Sequence, residues 1–169
     1  MMRALLCIGF GFGLLASGAM AGPDNVDWPA DYKSSFINYY NGDRTANNKQ
    51  VIRVFANDIA EGGAMADGKL PFGSVIVAEL YSVKFDEDGE PLESMLGRRI
   101  IDKLAAVVVM QRGEGFDTEY PDELTVGDWE FAVFKPSGER VEKDVTSCRE
   151  CHHDLTDTEH LYSYEHLVR

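Results

Sequence analysis

Cys148-Arg149-Glu150-Cys151-His152 stands seventeen residues from the end of a chain of 169. C-x-x-C-H is the attachment signature of a c-type haem. The two thiols form thioether bonds to the haem, and the adjacent imidazole takes one axial position on the iron. The motif comes so late that whatever faces the other side of the iron must be supplied from upstream. The upstream sequence therefore decides both the fold and the chemistry.

Three other readings of the cysteines are weaker. A thioredoxin-like dithiol belongs near the start of a β-α-β unit, which this sequence lacks. A zinc site could recruit His160 and His166, but only eight residues separate Cys151 from His160, fewer than in the usual finger. A disulfide across two residues would be strained and would leave His152 without a role. His153, His160 and His166 read as surface histidines. No methionine follows Cys151, so the usual downstream sixth ligand is missing. Met65, Met95 and Met110 lie upstream, and Met110 sits in an apolar pattern that suits core packing. The expected sixth position is open or water-occupied, so that the distal side chains decide what binds.

Upstream of the motif the pattern is β-rich. Residues 50–56, 74–85, 103–111 and 129–135 read as strands, with turns at 86–91 and 136–139. The acids of 86–90 lack the ligand spacing of a calcium loop. Residues 27–40 read as a helix, because Trp28, Tyr32, Phe36 and Tyr40 repeat every fourth position. A second helix is expected over 58–66, capped by Asp58. Several strands are apolar on both faces, which suits a sheet with helices on one side and a large flat group on the other. The expected fold class is α+β: an antiparallel sheet with flanking helices and a haem held near the C-terminus.

The chain opens with Met1-Met2-Arg3, an apolar run over 4–15 and Ala19-Met20-Ala21, the anatomy of a secretory signal cleaved after Ala21. Residues 1–21 are thus expected to be a leader, and 22–169 one exported, periplasmic domain. Cleavage removes Cys7 and leaves only the two motif cysteines. The chain carries 16 basic and 29 acidic residues, a net charge of −13. Losing Arg3 with the leader makes it −14. Such a charge repels nucleic acid and anionic membranes.

A β-rich body ending in C-x-x-C-H resembles the cytochrome P460 family, which includes hydroxylamine-oxidising P460 enzymes and the β-sheet cytochromes c′-β. The resemblance runs through Val51-Ile52-Arg53-Val54-Phe55, then Gly73-Ser74-Val75-Ile76-Val77-Ala78-Glu79-Leu80, then Trp129-Glu130-Phe131-Ala132-Val133-Phe134 with Gly138, and ends in the haem motif and the tail. It implies one covalently attached haem c on Cys148, Cys151 and His152. It also implies a small diatomic or nitrogenous ligand and a homodimer, while the acidity reads first as a solvated surface and, as the alternative, as a face for docking a basic redox partner protein. The family's cross-linking lysine falls at Ala78 here, and its distal carboxylate at Val107. Lys84 shares the alternation of Ala78 but lies about 20 Å along an extended strand. Arg53 matches an arginine of the family and is expected at a haem propionate, in the distal pocket or in a surface ion pair. The implied distal wall is apolar, built from Ile76, Ala78, Leu80 and Val107. That wall favours nitric oxide binding. Oxidation of hydroxylamine or NO is the enzymatic alternative, and plain electron transfer is a third.

Overall fold

A computed structural model of the chain describes residues 23–169; the expected leader and Cys7 lie outside them. Six strands form one sheet in the order β1-β2-β3-β4-β5-β6, and every neighbouring pair is antiparallel. They are β1 (Ile37–Asp43), β2 (Gln50–Ala56), β3 (Val75–Val83), β4 (Ile101–Arg112), β5 (Trp129–Phe134) and β6 (Arg140–Val141). A sheet whose neighbours are also sequence neighbours needs no crossover; the segment holding the helix at 58–67 joins β2 to β3, and turns or loops join the other pairs. Four helices accompany it among the described residues: α1 (Tyr32–Ser35), α2 (Asp58–Asp67), α3 (Thr146–His153) and α4 (Tyr164–Leu167).

The expected helix over 27–40 is corrected. Only α1 is helical there, and the chain is extended at Phe36 before it enters β1. Strand pairing outweighs the four-residue periodicity, since residues 37–43 hydrogen-bond along β2. Part of the stripe survives: Trp28, Tyr32 and Phe36 pack on one sheet face with Val26 and Phe134. A register shift in β1 between Asn38 and Tyr40 lets Tyr39 and Tyr40 both pack toward the other face. The cap of α2 is also corrected, from Asp58 to Asn57. Asn57 Oδ1 accepts from the amides of Ala60 and Val75, tying the helix start to β3.

Side-chain alternation gives the sheet two faces. One carries Val54, Ala56, Ile76, Met110 and Phe131, under Ala60 and Ala64 of α2, Leu167 of α4 and Val145 at the start of α3. The other carries Val77, Val107, Val109, Ala132 and Phe134, under the N-terminal segment. Helices α2 and α4 therefore share a face with the motif helix, where the sequence had suggested opposite sides. Among the described residues no helix is long and apolar enough to cross a membrane.

Candidate functional site

Cys148, Cys151 and His152 all lie on α3. Both cysteines are unpaired, with Cys148 half-buried and Cys151 exposed. Cys148 packs against the helix-covered face of the sheet. Burial pushes its thiol pKa up, and the nearby cations Lys143 and Arg44 only partly oppose this. Among the described residues no three His, Cys, Asp or Glu side chains converge as a metal site.

The His152 ring lies edge-on to Phe131 of β5 and to Tyr162, with centroids 5.1 Å away in each case. Its Nδ1 is 2.6 Å from the carbonyl oxygen of His160. A carbonyl can only accept, so Nδ1 carries the proton and Nε2 keeps its lone pair. Burial also lowers the His152 pKa, although the bond to His160 opposes it, which favours the neutral ring. This is the state an iron ligand requires. His160 returns the contact, donating from Nδ1 to the His152 carbonyl at 2.9 Å.

The turn presenting His160 is unusual. Glu159 and His160 both have positive φ, +50° and +62°, a region that non-glycine residues rarely occupy. Three contacts hold them there. Arg112 pairs with the Glu159 carboxylate at 2.5 Å, Trp129 Nε1 donates to the Glu159 carbonyl, and the His160 amide donates to Leu155. Gly127 makes room, since a Cβ there would come within 2.9 Å of the His160 ring. His153 is likewise engaged, through Nδ1 on the Thr125 carbonyl. Only His166 among these histidines is exposed, and it rests on Tyr40 at 4.5 Å.

Arg149, between the motif cysteines, is wholly buried. It pairs with Asp117 at 2.8 Å and with the equally buried Glu130 at 3.0 Å. It also donates to the Leu124 and Trp129 carbonyls and lies 3.3 Å from the Tyr120 ring centroid. Tyr120 donates to Glu130 in turn, and burial, then that bond, pushes its pKa up to about 12. This network fastens the motif helix to β5 and to the loop before it. Nothing in the C-x-x-C-H spacing marks Arg149 for this role. The available signal was Glu130, an acid inside the apolar strand Trp129–Phe134.

The distal candidates divide between the two faces. Ile76, Ala78 and Leu80 share the face on which Cys148 packs, paired with Ala56, Val54 and Ile52 on one side and Met110, Val108 and Ala106 on the other. Val107 is corrected: it is buried on the opposite face, in register with Glu79 and Phe134. Its neighbour Val108 is the residue opposite Ala78. Arg53 is also on the far side, exposed over the Tyr81 ring at 4.9 Å. Lys84 lies beyond the end of β3, past two irregularities of register. Met110 is buried in the helix-covered core, while Met65 and Met95 are exposed.

An antiparallel meander, a late motif helix and a histidine held as a neutral donor together define a c-type haem protein of the β-sheet kind. The family model for cytochrome P460 matches residues 29–163, and the chain belongs to that family. No curated protein sequence matches it significantly.

Proposed function

We propose that this chain carries one haem c, bound through Cys148 and Cys151 with His152 as axial ligand, and that it binds nitric oxide or a similar small neutral nitrogen species. When bound, the haem supplies an iron with one protein-free coordination position. The residues present suit the group: two free thiols, an imidazole with Nδ1 occupied and Nε2 available, and an apolar sheet face beside them. Arg44 and Lys143, the cations nearest Cys148, would pair with the propionates.

The observation carrying the ligand assignment is the chemistry of that face. Ile52, Ala78, Leu80, Ala106 and Val108 are half-buried and share it by register. None of them offers an amine, an imidazole or a carboxylate. Such a wall excludes water, holds no proton acceptor and gives a charged ligand nothing to pair with. Neutral diatomics depend least on distal hydrogen bonds. The same absence weighs against hydroxylamine oxidation, which needs a group to take up substrate protons. Intact mass of the haem peptide after digestion tests this division. One haem held by two thioethers is expected, and an additional side-chain link would overturn the ligand-binding reading in favour of the P460 enzymes.

A further inference from the structure

On the sheet face away from Cys148 there is a cavity of about 510 Å³. Its polar walls bring together three guanidinium groups, Arg53, Arg98 and Arg99, and one carboxylate, Asp43. In a chain with 29 acids and 16 bases this is a local reversal of charge. The partners of each group explain why the reversal is not neutralised from within. Glu79 lies directly across from Arg53 in the β2–β3 register. Its carboxylate is already taken, by the hydroxyls of Tyr32 and Tyr81 at 2.7 Å each and by Lys33 at 3.1 Å. Arg53 instead lies over the Tyr81 ring, and no carboxylate pairs with it among the described residues. Arg99 is anchored by Nη1 on the carbonyl oxygens of Arg44, Asn47 and Gln50, which orient the side chain without cancelling its charge. Arg98 alone meets an acid, with its Nε 3.4 Å from Asp43.

The remaining wall is mixed, with Asn38, Asn41 and Gly42 beside an apolar patch of Val51, Phe55 and Ile101. A volume of this size, with convergent charged groups beside an apolar patch, can hold a small molecule with one charged end. A planar guanidinium matches a carboxylate in two parallel hydrogen bonds. We infer that this cavity binds a small organic carboxylate, its charged end on Arg53 and Arg99 and its compact apolar body against Val51, Phe55 and Ile101. An inorganic anion would leave the apolar wall unused, and a neutral molecule would leave the guanidiniums unpaired.

The site is separate from the haem face, so it can be tested independently of the haem reading. The probe is benzoate, titrated calorimetrically into the haem-loaded chain, with acetate and benzamide as controls. Saturable one-to-one binding of benzoate is expected, with both controls at least about 10-fold weaker. Arg53→Ala should weaken benzoate about 10-fold or more, the loss expected for a charge-assisted hydrogen bond, and Arg53→Lys should restore part of it. Arg53 is exposed, so the thermal midpoint and haem spectrum of both variants should match the parent. No saturable benzoate binding, benzamide binding as well as benzoate, or unchanged affinity in Arg53→Ala would each overturn the inference.

Discussion

Arg149→Met tests what fixes the motif helix in place. The substitution keeps the length and most of the volume of the side chain but removes the charge. It leaves the wholly buried Glu130 carboxylate with only the Tyr120 hydroxyl and the Phe131 amide, and no cation, and it strips Asp117 of its guanidinium partner. Removing one member of a buried ion pair costs about 3–5 kcal/mol. A domain of this size has roughly 5–15 kcal/mol in all. At about 2–4 °C per kcal/mol, the thermal midpoint should fall by about 6–20 °C. Guanidinium chloride unfolding, followed by far- and near-UV circular dichroism, measures the loss. Glu130→Gln in the same background removes the uncompensated charge and should recover at least about 1 kcal/mol. Asp117 still accepts from the amides of Val126 and Asp128, so it does not require Arg149 to remain satisfied. The fraction of chain carrying haem should fall with stability in Arg149→Met and rise again in the double variant. A cost below about 1 kcal/mol, or no recovery in the double variant, would refute the reasoning.

Three further outcomes are expected. Gly127→Ala places a methyl group against the His160 ring at a backbone φ of +65°, so it should cost about 1–3 kcal/mol and shift the iron–histidine stretching band of the ferrous protein; an unchanged band would show that His160 does not set the His152 geometry. At Glu79, burial alone would raise the pKa, but the bonds from Tyr32, Tyr81 and Lys33 hold it below the ordinary carboxylate value. Its stabilising effect is therefore present above about pH 5 and lost as pH falls through the depressed value, so Glu79→Gln should lose less stability than the parent between pH 6 and 3 in denaturant titrations. Ala78→Glu places an acceptor on the apolar face and should raise affinity for hydroxylamine relative to nitric oxide in optical titrations, whereas an unchanged ratio would place Ala78 away from the ligand.

Much of the fold was legible because strand propensity and strand pairing agree. Residues 50–56 and 129–135 are rich in β-branched and aromatic side chains, and their boundaries fall within a residue of β2 and β5. Residues 27–40 failed for the opposite reason. Their periodicity is helical, but β1 forms because its backbone pairs with β2, a partner that the local pattern does not reveal. Val107 missed the face of Ala78 because adjacent strand side chains point to opposite sides of the sheet. Its register is fixed by pairing with Glu79 and Phe134 on the neighbouring strands, which the local sequence does not reveal. Around the motif, the candidate ligands Cys148, Cys151 and His152 stood out by their spacing. The groups that hold them did not: Arg149 looked like a variable position, and the Glu159–His160 turn depends on Arg112 and Trp129, more than twenty residues upstream.

The central claim is that His152 ligates a haem whose other side faces an apolar, protein-free position. The optical spectrum of the ferrous protein, recorded with and without nitric oxide, tests it most directly. The account predicts a five-coordinate, high-spin ferrous haem whose spectrum changes saturably as nitric oxide is added. A six-coordinate, low-spin ferrous haem indifferent to nitric oxide would contradict it.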